Sequence, residues 1–250
     1  MTSIGLIARK ESGELLRSGR GLAWLLAISV ILSVFSLLFV SNTELSLLDN
    51  AQVVYMVMGI ITALGALLAV VLGSDAIAGE KERGSLVPLL LTPVSTGDIV
   101  FGKMGGQVVA WGVTYGLSLP YLWAVGSSGQ NLAQAIVYLA LLGTPVVLGF
   151  GFFSLGLSAR FGTVRTALIT ALIILMLLAS PLLLGPGLRQ SAIGRAFDAV
   201  NPFSAAINGF DSVVIDSQPL SMQLGRLGVT LVWLGLTSWF AGRSVRTIDL

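Results

Sequence analysis

Long apolar runs alternate with short polar breaks along this chain. Six runs, Gly21–Val40, Ala51–Gly73, Ile99–Val125, Leu132–Leu157, Val164–Gly185 and Gln223–Arg243, stand out. A helix rising about 1.5 Å per residue crosses a hydrocarbon core of roughly 30 Å in about 20 residues. Every run meets that length, so the pattern predicts an all-α membrane protein with six transmembrane helices. Ahead of the first run, residues 1–20 interleave Arg9, Lys10, Glu11, Glu14, Arg17 and Arg20 with Ile4, Ile7, Leu15 and Leu16. That is the pattern of an amphipathic helix lying on the membrane surface with its basic side toward headgroups. The flank of a signal anchor is the alternative. A cleaved signal peptide is not expected, because Gly21–Val40 is long enough to span and no A-x-A-like site closes it. The organisation read from the pattern is an interface helix over 1–20 and a transmembrane domain over 21–250.

Charge adds orientation. Only 10% of the residues are charged and 55% are hydrophobic, against roughly 25% charged in soluble chains. An even number of spans puts both termini on one side. On that side fall Arg9, Lys10, Arg17, Arg20, Lys81, Arg83, Lys103, Arg160, Arg165, Arg243 and Arg246, whereas the other side has Arg189, Arg195 and Arg226. The positive-inside rule therefore places both termini and the 75–98 loop in the cytoplasm.

Several chemistries are removed. The chain has no cysteine and no histidine, which excludes disulfides, Cys/His metal sites and Ser-His or Cys-His catalysis. No ionisable residue falls near the middle of a span; Asp75 and Arg226 sit at ends. This counts against a proton-coupled carrier or an intramembrane aspartyl enzyme. Lys10, Lys81 and Lys103 lie outside or at the ends of spans, which removes a Ser-Lys dyad. Glu80 and Glu82 stand beside Lys81 and Arg83 and read as a solvated charge cluster rather than an acid–base pair. Gly97 to Lys103 fits G-x-x-x-x-G-K, but Met104 stands where a phosphate loop needs a hydroxyl, and no strand precedes it. Neither a catalytic residue, a metal site nor nucleic-acid binding is expected. Met56 and Met58 read as packing rather than soft copper ligands.

Glycines recur within the spans, in Gly112 to Gly116 and Gly149 to Gly156. Small residues let helices approach closely in lipid, so these motifs point to tight packing inside the bundle, with a dimer seam as the alternative. The segment Pro186–Met222 is too long for a simple connection and is broken at Pro186, Pro202 and Pro219. Ile193, Phe197, Val200 and Phe203 keep helical spacing there. Short helices capping or re-entering the outer mouth are expected, or else a passive surface loop.

Between the second and third spans, polar residues carry an apolar face. Gly84 ends the helix that extends the second span. Ser85 can N-cap a short helix through Leu91, with Pro88 in its first turn. Leu86, Leu89 and Leu90 form its apolar face, and Thr92-Pro93 stops it. Ser95-Thr-Gly-Asp98 has the capping-box pattern that starts the third span. A helix of one to two turns is thus presented to the cytoplasm, or tucked against headgroups.

The stretch Ala78-Gly-Glu-Lys-Glu-Arg-Gly-Ser-Leu-Val-Pro-Leu-Leu-Leu-Thr-Pro-Val-Ser95, followed by Ile99 and Gly102-Lys103, resembles the signature of ABC-2 type transport permeases. Ile7-Ala-Arg-Lys-Glu11 is similar to the family's N-terminal helix, and Asn201-Pro-Phe-Ser204 to an N-P-x motif of its last outer segment. Among subfamilies, the permease of nitrous oxide reductase maturation is similar around the same stretch. Pro88 departs from the helix-favouring residue common there and puts the length of the short helix in question. The resemblance implies a permease subunit of an ATP-binding cassette exporter in a bacterial or archaeal inner membrane. Two copies of a separate ATPase would bind ATP and Mg, and the permease itself would hold no cofactor. A second permease chain would complete a homodimer, and a periplasmic or extracellular accessory protein could join it. By position, Gly84, Ser85, Leu86, Leu89, Leu90 and Thr92 would form the coupling helix against the ATPase, with Glu80, Glu82 and Arg83 as its polar rim. Arg9, Lys10 and Glu11 would belong to the bracing interface helix, and Asn201, Pro202 and Phe203 to the outer gate. The residues alone leave a secondary carrier and a non-transporting scaffold open.

Overall fold

The computed structural model describes residues 3–41, 50–86, 95–127, 131–180 and 191–247. Those residues are mostly helical, with no strand among them. Helix α1 spans Ser3–Arg17 and α2 Gly19–Ser41. Ser18 joins them, its Oγ accepting from Gly21 N at 3.0 Å as a cap of α2. Helix α3 is Asn50–Ala76, and α4 is the short Ala78–Glu82. Helix α5 is Thr96–Gly126. Ser95 caps it as its sequence pattern predicts, with Oγ accepting from Asp98 N at 3.1 Å.

Helices α6 (Leu132–Tyr138) and α7 (Thr144–Arg160) are joined through a π-helical turn, Leu139–Gly143, into one apolar unit of 29 residues. Pro145 explains the turn. Its ring would strike the carbonyl four residues earlier in a regular helix, and widening the preceding turn relieves that clash. Helix α8 is Val164–Ala179, capped by Thr163. Beyond it come α9 (Ala192–Val200), α10 (Pro202–Phe210), a π turn over Asp211–Ile215 and α11 (Leu224–Arg246).

Among the described residues, five helical stretches are long and apolar enough to cross a membrane: Gly21–Phe39, Asn50–Glu82, Thr96–Gly126, Leu132–Arg160 and Ser221–Arg246. Helix α8, with 16 residues, is shorter than the expected fifth span. Residues 181–185 of that span lie outside the described residues. Within the bundle, α3 and the α6–α7 unit are central, each with 56% of its most apolar window buried, against 17% for α2 and for α11. Phe150, Phe203 and Phe210 are fully buried in this core with Met58, Ile61 and Leu142. Gly149 and Gly156 bring α7 against Trp233 and Phe240 of α11, so this glycine motif serves packing within the chain. Gly112 and Gly116 face open space instead.

The two ends of the bundle differ. One gathers α1, α4, the start of α5, the α7–α8 junction and the end of α11. The other carries α9 and α10. Here α10 is buried, while α9 leaves Ile193 and Val200 exposed.

Candidate functional site

The charged end is organised at a break in α3. After Ala76 the chain turns at Ile77 and resumes as α4, and this turn is held by one side chain from α7. Ser158 Oγ accepts from Ile77 N at 3.0 Å and Ala78 N at 2.7 Å, and donates to Ser74 O at 2.7 Å. All four residues are buried. Without the hydroxyl, two backbone N–H groups would lie buried and unpaired, which the interior penalises.

Four successive charged residues then grip four different elements. Glu80 Oε1 accepts from Lys103 Nζ on α5 at 2.8 Å, and the same ammonium donates to Glu11 Oε1 of α1 at 3.0 Å. The Lys103 side chain is 3% exposed, Glu80 13% and Glu11 24%. Lys81 Nζ donates to Ala159 O at 2.5 Å and Phe161 O at 3.2 Å, the free carbonyls at the end of α7. Glu82 accepts from Val164 N at 2.9 Å, at the first turn of α8. Arg83 turns back on α3 and donates to both carboxylate oxygens of Asp75 at 2.8 and 2.9 Å. That hydrogen bond and the charge of Asp75 raise the pKa of Arg83 above its ordinary value.

This corrects the reading of 80–83 as a solvated cluster. Glu80 and Lys81 are half-buried and bonded inward; Glu82 and Arg83 are exposed, yet each holds a partner on another helix. Successive residues on a helix point about 100° apart and do not face each other. Neighbours in sequence therefore find separate partners in space.

Helix α1 completes the frame. It lies across α5, where Ile7, Ala8 and Glu11 sit over Gly102, Gly105 and Gly106; a Cβ at Gly102 would come within 2.7 Å of Ile7 Cβ, and one at Gly106 within 2.7 Å of Glu11 Cβ. Only glycine permits that approach, which brings Glu11 within reach of Lys103. Of the expected interface residues, Arg9 and Lys10 are exposed, whereas Glu11 points inward. Residues 97–103 are helical and Lys103 is enclosed by carboxylates, so this stretch offers no phosphate loop.

The exit from α4 is sharp. Gly84 has φ +69°, Gly84 N donates to Lys81 O at 3.1 Å, and Ser85 N to Glu80 O at 2.9 Å. These are the paired bonds of a Schellman stop, and Gly84 ends the helix as expected. Gly84 and Ser85 are exposed. Leu86 is not: at 7% exposure it packs with Ile77, Ile99, Val100 and Met104. This corrects its expected place on an outward apolar face. Leu86 anchors the exit within its own chain. Leu89, Leu90 and Thr92, like Pro88, lie outside the described residues.

At the opposite end, Asn201 Oδ1 accepts from Phe203 N at 2.9 Å and Ser204 N at 3.4 Å, while its Nδ2 donates to Leu178 O at 2.7 Å. Pro202 opens α10, where a missing N–H costs nothing. Phe203 packs on Phe150 at 5.7 Å between ring centroids. The motif thus caps α10 and ties it to the end of α8.

Sequence reasoning missed Ser158 and the depth of Lys103. A lysine two turns into an apolar helix, beside Gly102 and Gly105-Gly106, was a signal for a buried cation seeking acids. Nothing in the sequence singled out Ser158.

Comparison with known proteins bears on this arrangement. The family described as ABC-2 family transporter protein matches residues 6–240. The chain belongs to the ABC-2 transporter family. Among curated relatives of this ABC-2 protein is a probable ABC transporter permease protein NosY of Stutzerimonas stutzeri. It is 32% identical over 161 residues, covering 62% of this chain and 52% of the relative. The protein of the same description from Pseudomonas aeruginosa PAO1 is 33% identical over 180 residues, covering 68% and 59%. The matches therefore span little more than half the length of either relative. With its apolar helices, family membership makes this a multi-pass membrane protein.

Proposed function

We propose that this chain is the permease subunit of an ATP-binding cassette exporter and couples ATP hydrolysis on a separate ATPase to movement of a substrate across the inner membrane. In this reading six spans cross the bilayer, both termini and the charged end face the cytoplasm, and two permease chains work with two ATPase chains. An accessory protein on the far side would be an additional partner.

The observation that carries the reading is the bracing of residues 80–83. A force applied to the segment that leaves α4 passes through Glu80 to α5 and α1, through Lys81 to α7, through Glu82 to α8 and through Arg83 back to α3. Rigid transmission of that kind is what converts a partner's closure into rearranged helix packing. The contact surface would begin at Gly84 and Ser85 and continue through Leu89, Leu90 and Thr92. Glu80, Glu82 and Arg83 would act behind it as struts, and Leu86 as its anchor. Asn201, Pro202 and Phe203 would steady the outer gate by holding α10 to α8.

Co-purification tests this reading. The tagged full chain should retain an ATPase carrying Walker motifs, and Leu89→Asp should release it without removing the permease from the membrane. Retention unchanged by Leu89→Asp would overturn the assigned surface; no ATPase with the unaltered chain would overturn the exporter reading.

A further inference from the structure

Helix α9 buries none of its residues. Its start is fixed by Ser191, whose Oγ accepts from Gly194 N at 3.0 Å, and its end by Asn201. Ile193, Phe197 and Val200 recur at i, i+4 and i+7 and share one face, joined by Ala196. Ile193 is 84% exposed and Val200 72%. The carboxylate of the helix turns inward instead: Ser204 Oγ of α10 donates to Asp198 Oδ1 at 2.6 Å. A helix that packs its acid on the protein and leaves its apolar face outside reverses the order expected in water.

Depth decides what lies on that face. Asn201, directly after Val200, donates to Leu178 O of α8. Leu178 lies thirteen residues from the exposed Arg165 at the charged end, a rise of about 20 Å for an upright helix and less for a tilted one. Two residues on, Phe203 packs on Phe150. Phe150 lies ten residues from Arg160, a rise of about 15 Å. The hydrocarbon core is roughly 30 Å thick, so the junction of α9 and α10 sits below the far boundary, within the far leaflet. From there α10 climbs outward along α3, where Ile207 meets Gly59. Met176 and Leu177, at the level of Leu178, are exposed as well, so the face of α9 continues an apolar surface that α8 already presents.

We infer that α9 is immersed in the lipid leaflet at the end away from the charged cluster, with Ile193, Ala196, Phe197 and Val200 against acyl chains. A protein partner would have to reach below the membrane surface to cover Val200, where hydrocarbon already lies. Because Asn201 ends α9 and caps α10, lipid packed on α9 bears directly on α10. Lipid contact of α9 requires only that the chain crosses a membrane, so it stands or falls apart from the exporter reading.

The chain has no cysteine, so a single introduced cysteine carries a spin label at one known place. Ile193→Cys, Ala196→Cys and Val200→Cys test the proposal in the full chain, reconstituted in dioleoyl phosphatidylcholine vesicles. Each label should collide with oxygen, which dissolves among acyl chains, and lose collisions with a water-soluble nickel chelate. The oxygen preference should be at least as strong at Val200 as at Ile193, because Val200 adjoins the buried junction. A label at Ser85→Cys, exposed at the charged end, should show the opposite preference. Nickel collisions at all three α9 positions would make the helix a water-facing segment. Collisions with neither reagent would mean that a second copy or another protein covers it. Either result overturns the proposal. Ile193 and Ala196 are exposed, so those two labels decide the matter even where the Val200 variant does not fold.

Discussion

Lys103 and Glu80, 23 positions apart in sequence, meet at 2.8 Å and join the start of α5 to the short helix beyond α3. Glu11 takes a second proton of the same ammonium across 92 positions. Removing one member of a buried pair is costly because it strands the other charge. Lys103→Met should therefore destabilise the protein in detergent by roughly 3 kcal/mol, the lower part of the usual range, because both carboxylates keep some contact with water. Adding Glu80→Gln and Glu11→Gln should restore much of that loss. A thermal-denaturation mutant cycle should also find Lys103 more strongly coupled to the better-buried Glu80 than to Glu11.

Ser158→Ala leaves the N–H groups of Ile77 and Ala78 without their shared acceptor. A loss of about 1–3 kcal/mol is expected for an unsatisfied buried donor. Hydrogen exchange should localise the effect, with those two amides losing protection before the core of α3.

Gly84 occupies the left-handed region at φ +69°. A β-branched residue there pays about 1–2 kcal/mol, and the exit from α4 would relax to avoid it. Gly84→Val should lower the amount of ATPase recovered with the permease, while Gly84→Asn, which tolerates this region, should retain most of it.

Asn201 does two jobs, and two substitutions separate them. Asn201→Asp keeps the acceptor that caps α10 but loses the donor to Leu178 O. Asn201→Ala loses both, and the cap alone is worth about 1 kcal/mol. Melting temperatures should fall in the order native, Asn201→Asp, Asn201→Ala.

Features encoded locally were legible in the sequence. The apolar runs announced the long helices, Ser95 its cap and Gly84 its stop, because each depends on residues within a few positions. The partners of 80–83 were not legible. Glu80, Lys81, Glu82 and Arg83 look mutually neutralising as a string, but α4 turns each in its own direction, toward partners supplied by α5, the end of α7, α8 and α3. Leu86 misled for the same reason. Its spacing with Leu89 and Leu90 suggested one shared face, whereas its neighbours Ile99 and Met104 come from the next helix. On α5 the packing motif was read at Gly112 and Gly116, which face open space, whereas the glycines that α1 covers are Gly102, Gly105 and Gly106.

A photo-crosslinking amino acid at Ser85, the exposed residue where the chain leaves the braced helix, tests coupling most directly. In native membranes, an adduct with an ATPase bearing Walker motifs is expected. Lys103→Met should weaken this adduct, although position 103 is itself buried. Adducts confined to lipid, or an ATPase adduct indifferent to Lys103→Met, would contradict coupling through this segment.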